Sequence, residues 1–196
     1  ELDGIPFTNE FYGNSISKLE VYDKLKSTGK LDDVIIPYKK VEKVKDIFHF
    51  IDRYNEIILK PEVGSFARGV HYISRTENNK FYVVMREKEK NYNEIELRKY
   101  INDLLESSTF IVQKYINTRT IDGNPFDIRV HMMKDENDEW SFARIYPRIG
   151  FNYATISSTG MGGYIGALTG FLKRNFRFTN TDKIEQNIKT ASLKIA

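Results

Sequence analysis

The sequence predicts an α+β fold dominated by antiparallel strands. Helical and strand periodicities fall in separate blocks rather than alternating as βαβ units. Two pairs of strand-like runs are each joined by a short turn, which is the pattern of antiparallel neighbours. No internal repeat, low-complexity tract or long linker interrupts these blocks, so they must pack on one another.

The elements follow in order. Ser17 with Glu20 has capping-box spacing, so a helix is expected to start there, place Val21 and Leu25 together and end near Gly29. Val44, Ile47, Phe48 and Ile51 recur at i, i+3, i+4 and i+7 and predict a second, amphipathic helix. Glu56–Lys60 reads as a short buried strand halted by Pro61. Val70–Arg75 and Phe81–Arg86, rich in β-branched and aromatic residues, flank Glu77-Asn78-Asn79 and predict a hairpin. Leu97, Ile101, Leu104 and Leu105 mark a third helix, capped by Asn93 with Glu96. Phe110–Ile116 is expected to be a strand, and Asp127–Met133 pairs with Trp140–Ile149 around the charged turn Asp135–Glu139. Gly160, Gly162, Gly163, Gly166 and Gly170 are expected to break regular structure. A last helix then starts near Thr181 and buries Ile184, Ile188, Ala191 and Ile195.

Composition narrows the function classes. The 196 residues suffice for one large domain or two small lobes with a real core. The net charge of +3 comes from interleaved Lys, Arg, Asp and Glu, and no basic stripe of one sign points to nucleic acid. The chain has no cysteine, which excludes disulfides and thiolate metal sites. No apolar run approaches the roughly 20 residues that cross a bilayer, and no signal-like start is present. A soluble intracellular protein without membrane insertion is the expectation. The chain begins at Glu1 and stops at Ala196 inside a predicted helix, so either end is expected to be a boundary within a longer protein.

Lys60 carries the chemistry. It closes the apolar run Ile57-Ile58-Leu59 and is followed by Gly64, Ser65, Arg68 and Gly69. An ammonium beside a glycine-bearing loop suits a polyphosphate, because backbone N–H groups approach oxygen while Lys and Arg neutralise charge. The bland alternative is a strand-end lysine reaching for water. The loop lacks the Gly-Lys-Ser/Thr ending of a Walker A motif and opens no helix in a βαβ unit, so a dinucleotide fold is not expected. Asp127, Arg129 and His131 alternate with Ile128, Val130 and Met132, giving one polar and one apolar strand face. Trp140, Phe142, Arg144, Tyr146 and Arg148 are expected to share a face of the neighbouring strand. His131 reads as a surface or satisfied histidine and His49 as a structural one, neither as a ligand. The glycine cluster reads either as a flexible loop only or as a loop whose backbone amides approach a substrate or phosphate.

The ordered motifs resemble the ATP-grasp superfamily, most of all its endospore-coat-associated YheC/YheD type. They run from Asn9-Glu10-Phe11 and Ser17-Lys18-Leu19 through Leu59-Lys60-Pro61, Gly64-Ser65 and Arg68-Gly69. They continue through Val112-Gln113-Lys114-Tyr115-Ile116, Asp127-Ile128-Arg129-Val130, Glu139-Trp140, Arg148-Ile149-Gly150 and Gly162-Gly163. The resemblance implies two antiparallel lobes with ATP in the cleft between them. It divides the chain into an N-terminal helical segment (1–54), a hairpin lobe (55–109) and a C-terminal lobe (110–196). Lys18 and Lys60 would hold the phosphates, and Gly64–Gly69 would be the loop that closes over them. Gln113 would face the adenine amino group, and the backbone of Lys114, Tyr115 and Ile116 the adenine edge. Arg129 and Arg148 would stabilise an acyl-phosphate or tetrahedral intermediate, with Ser158, Gly162 and Gly163 in a substrate loop.

The implied activity is ATP-dependent ligation of a carboxylate to an amine, with spore-coat proteins as partners and a cytoplasmic or spore-associated location. Three departures stand out. Ala67 replaces a glycine often seen in the loop, and Ser158 stands where related ligases tend to have asparagine. The carboxylates that hold Mg²⁺ in the superfamily lie on strands after the last helix, so C-terminal strands are expected to be missing and Asp127 is not assigned as a ligand. Two rival readings remain: a non-catalytic binding or structural module, and the tubulin-tyrosine-ligase branch, which shares the Val112–Ile116 and Phe126–Arg129 motifs.

Overall fold

In the computed structural model, which describes residues 17–64, 67–86, 88–151 and 162–196, six strands form one antiparallel sheet. They are β1 (Tyr38–Lys40), β2 (Glu56–Pro61), β3 (His71–Arg75), β4 (Phe81–Met85), β5 (Lys88–Tyr92) and β6 (Phe110–Lys114), in the spatial order β1-β6-β2-β3-β4-β5. Strand alternation sends Ile57, Leu59, Ile73, Val83 and Val112 to one face. Helices α2 (Val44–Tyr54) and α3 (Glu94–Ser107) cover that face with Ile47, Phe48, Ile51, Leu97 and Ile101. Each such aliphatic side chain contributes about 1.5–3 kcal/mol by leaving water.

Both covering helices start at a satisfied N-terminus. Asp46 accepts from the Glu42 and Lys43 N–H groups at 3.1 and 3.0 Å and from Lys39 Nζ at 2.7 Å. Asn93 and Glu96 exchange reciprocal bonds of 2.9 Å, the capping box expected for α3. The β3–β4 hairpin turns through a 3₁₀ segment, Glu77–Asn79, in which Asn78 and Asn79 take left-handed backbone angles that asparagine tolerates.

The second sheet has the order β7-β8-β9, from β7 (Phe126–Lys134), β8 (Trp140–Ile149) and β9 (Tyr164–Ile165). Its apolar face packs Phe126, Ile128, Ile145 and Ile149 against Leu168, Phe171 and Leu172 of α4 (Leu168–Asn175), with Ile184 of α5 (Thr181–Ile195) at the margin. Helix α1 (Lys18–Ser27) precedes both sheets and begins, as expected, at Ser17, whose Oγ accepts from the Glu20 N–H.

Several expectations are corrected. Helix α5 buries no residue fully: Ile184, Ile188 and Ala191 are half-buried and Ile195 is 47% exposed. Gly170 does not break structure but lies inside α4, while Gly160 falls outside the described residues. The expected single face of β8 is divided in two. The register with β7 shifts between His131 and Met132, so His131 opposes Arg144 and Met132 opposes Phe142. The skipped residue, Ala143, is a β-bulge that inverts the alternation. Arg144, Tyr146 and Arg148 therefore share the face of Asp127, Arg129 and His131, whereas Phe142 turns toward α5 with Asp182 and Leu193. Strands β1, β5 and β9 and helix α4 were not anticipated. No helix among the described residues is long and apolar enough to cross a membrane.

His71 is the anomalous buried group. It is 1% exposed, lies beside Tyr100 and Phe110, and neither ring nitrogen meets a hydrogen-bond partner. Burial pushes its pKa down. The unfolded chain thus takes up a proton that folded His71 resists, so stability is expected to fall as pH drops below about 6.5. Urea unfolding of the parent and His71→Leu across that range checks this, and parallel pH dependence of the two would refute it.

Candidate functional site

The face of the six-stranded sheet opposite α2 and α3 carries the polar cluster. Register pairs Ile58 with Gln113 and Lys60 with Ile111, so Lys60 and Gln113 are diagonal neighbours on that face. Lys60 Nζ donates to Gln113 Oε1 at 2.7 Å and to the Tyr22 hydroxyl at 2.8 Å, and lies 5.0 Å from the centre of the Tyr22 ring. Gln113 is 7% exposed. Two of the three ammonium protons are thus directed by in-chain oxygen.

Helix α1 brings the second cation. Ser17 Oγ donates to Glu62 Oε1 at 2.5 Å and the Lys18 N–H donates to Glu62 O at 3.1 Å, fastening the start of α1 to the end of β2. Lys18 Nζ then donates to the carbonyls of Pro61, Glu62 and Gly64 at 3.0, 3.2 and 2.9 Å. It therefore grips the root of the loop that the sequence marks out. Burial lowers the Lys18 pKa first, the nearby Lys60 charge lowers it further, and Glu62 opposes both. Two ammonium groups close enough to repel are a site where an anion relieves the repulsion.

Within the loop, Ser65 lies outside the described residues, and Arg68 is exposed. Gly69 has φ +69°, and a Cβ there would stand 2.8 Å from Pro61 Cγ. Ala67 also takes a left-handed conformation, φ 55°.

At the end of β6 the backbone is partly committed. The Lys114 N–H donates to Pro37 O at 2.9 Å and the Tyr115 N–H to Glu56 O at 3.1 Å. The Ile116 N–H has no partner among the described residues, and Ile116 is 42% exposed. The Lys114 side chain points to the α2 side, over the Tyr54 ring, so only its backbone belongs to the Lys60 face. Tyr115 packs edge-on against Tyr72, 4.9 Å between ring centres.

The polar face of the second sheet presents another group. Arg148 donates through Nε and Nη2 to the two carboxylate oxygens of Asp127, at 2.8 and 2.6 Å. The bidentate pairing holds the Arg148 pKa above its ordinary value, with burial working against it. Arg129, opposite Tyr146, is exposed, and Tyr146 stacks on His131 with its hydroxyl 3.1 Å from His131 Nε2. Gly162 and Gly163 lead into β9, whose Ile165 opposes Arg148; Ser158 lies outside the described residues. The structure thus brings Lys18, Lys60 and Gln113 together, and separately brings Arg129, Arg148 and Gly162–Gly163 to one strand assembly.

Sequence reasoning missed Tyr22. Its signal was its place four residues after Lys18, which sets both on one helix face. Two grooves of about 530 Å³, one between the start of α2 and α3 and one between Phe142 and α5, contain none of the expected site residues. Among the described residues no group of three or more His, Asp or Glu converges to hold a metal ion, and Asp127 is engaged by Arg148. No magnesium ligand is therefore assigned on these residues.

A family model described as YheC/D like ATP-grasp matches residues 4–196. Among curated proteins, the endospore coat-associated protein YheC of Bacillus subtilis (strain 168) is 24% identical over 158 residues, covering 78% of this chain and 43% of that protein. The endospore coat-associated protein YheD of the same organism is 22% identical over 170 residues, covering 84% and 37%. The chain thus spans less than half the length of either relative. Among solved structures, N5-carboxyaminoimidazole synthetase from Staphylococcus aureus, complexed with ADP, aligns with a TM-score of 0.45 at 18% identity, over 70% of this chain and 30% of that one.

Proposed function

Because this chain belongs to the YheC/D-like ATP-grasp family, we propose that it binds ATP at Lys60, Lys18 and the Gly64–Gly69 loop and uses it to join a carboxylate to an amine. The carrying observation is the Lys60 ammonium, held by Gln113 and Tyr22 beside a second ammonium that roots a glycine-bearing loop. Lys60 and the loop receive the phosphates, while Lys18, its three donors held by the loop-root carbonyls, adds its charge beside them. Gln113, which abuts Lys60, and the Ile116 backbone N–H, just past the end of β6, are the groups proposed to meet the base.

In the proposed reaction a carboxylate oxygen attacks the γ-phosphorus and ADP departs, leaving an acyl-phosphate. The amine nitrogen then attacks the acyl carbon, phosphate leaves with the bonding pair, and the nitrogen loses a proton to solvent. Such chemistry depends on positioning and charge stabilisation rather than on a protein nucleophile. Arg129 is the proposed cation for the developing negative charge. Arg148, oriented by Asp127, is its companion at the same strand pair. Magnesium would neutralise phosphate charge. The coat-associated names of the relatives supply the proposed setting, with endospore-coat proteins as partners.

The test is calorimetric and thermal. MgATP is expected to titrate with one site, and at a hundredfold excess over Kd to stabilise the fold by about 2.7 kcal/mol. Adenosine, lacking phosphates, is expected to bind far more weakly. The absence of both binding heat and a thermal shift at millimolar MgATP would overturn the reading. ADP release that requires both an added carboxylate and an added amine would carry it from binding to ligation.

A further inference from the structure

We infer that Tyr22 is a positioning residue for the ATP phosphates, its hydroxyl and ring fixing the Lys60 ammonium so that one N–H is left for a phosphate oxygen. This rests on the proposed nucleotide site. A lysine ammonium is a compact charge on a flexible stem, with three donors and no preferred direction of its own. Left alone it samples several rotamers and must be ordered whenever an anion binds. Here Gln113 takes one donor at 2.7 Å and Tyr22 a second at 2.8 Å. The Tyr22 ring, centred 5.0 Å from Nζ, adds a favourable π face without using a proton.

Tyr22 is itself held in place. Its ring packs against Tyr38, 4.8 Å between centres, and the Tyr38 hydroxyl donates to Asp23 Oδ1 at 2.7 Å. Tyr38 in turn lies opposite Gln113 in the β1–β6 register. Asp23, Tyr38, Tyr22, Lys60 and Gln113 therefore form a closed set spanning α1, β1, β2 and β6. One turn earlier on α1, Lys18 grips the loop root. The helix thus delivers one charge directly and aims the other through Tyr22.

The experiment compares MgATP and adenosine binding by calorimetry to the parent and to Tyr22→Phe, Tyr22→Leu and Tyr38→Phe. Tyr22→Phe keeps the ring and removes only the hydroxyl; it is expected to weaken MgATP about tenfold while changing adenosine less than about twofold. Tyr22→Leu removes the ring as well and is expected to lose more. Tyr38→Phe keeps the ring against Tyr22, removes only the bond tying that ring to Asp23 and leaves Lys60 untouched. It is expected to lose about threefold and covers the case of an unfolded Tyr22 variant. Parallel loss of MgATP and adenosine would mean a merely structural role and would overturn the inference. Unchanged or tighter MgATP binding in Tyr22→Phe would overturn it too, the latter by making the hydroxyl a competitor for Lys60. A parent that binds no MgATP fails the nucleotide reading itself, whereas a binding parent with an indifferent Tyr22→Phe fails this inference alone.

Discussion

Lys60→Ala is expected to weaken MgATP binding by about a hundredfold or more, the largest functional loss from any single side chain here. Three effects act together. The ammonium's charge-assisted bond to phosphate disappears, worth about 1.5–3 kcal/mol. Gln113 Oε1, on a residue 7% exposed, loses its donor. Lys18 loses the neighbour whose repulsion lowers its pKa, so less strain remains for an anion to relieve. The orphaned Gln113 also lowers stability of the empty protein by about 1–3 kcal/mol, so affinity must be measured well below the variant's own unfolding temperature. Calorimetry decides it: a Kd within about threefold of the parent would detach Lys60 from the phosphates, and the nucleotide reading would lose its main support.

The part of this site that was legible in the sequence was the part written in local chemistry. Lys60 is visible because it ends an apolar run and precedes glycines, and Ser17 because a cap and Glu20 have fixed spacing. Helix α2 is visible because Ile47, Phe48 and Ile51 must all face one sheet. Strands β1 and β5 left no such trace. Lys39 and Lys40, and Lys88 through Asn91, are exposed, and alternation exists in sequence only where one face is buried. The bulge at Ala143 is invisible for a related reason: one extra residue changes no composition, yet it exchanges the faces of Arg144 and Phe142. The Asp127–Arg148 pair depends on cross-strand register, a property of two segments 21 residues apart. Tyr22 was within reach, since its spacing from Lys18 is helical. Its role was not, because it meets Lys60 only when α1 docks on the end of β2 through Ser17 and Glu62.

Gly69→Val is expected to lower stability by about 2–4 kcal/mol and to weaken MgATP binding with it, because two costs coincide at one position. The backbone there is left-handed at φ +69°, where a β-branched side chain is strained. The added Cβ would also sit 2.8 Å from Pro61 Cγ, against a ring that cannot bend away like a flexible side chain. Pro61 ends β2 beside Lys60, and its carbonyl is one of the three that Lys18 grips. Displacing it disturbs both ammonium groups of the proposed phosphate site at once. Two residues earlier the logic runs the other way. Ala67 already holds φ 55°, a conformation that costs a non-glycine residue about 1–2 kcal/mol. Ala67→Gly removes that strain, and the greater freedom of glycine in the unfolded chain takes back about 0.5–1 kcal/mol, leaving stability level or slightly raised. The pair separates backbone strain from simple mutational damage in the same loop. Denaturant unfolding and MgATP titration of both variants are the measurement, and a Gly69→Val protein matching the parent in both would show that Gly69 need not be left-handed against Pro61.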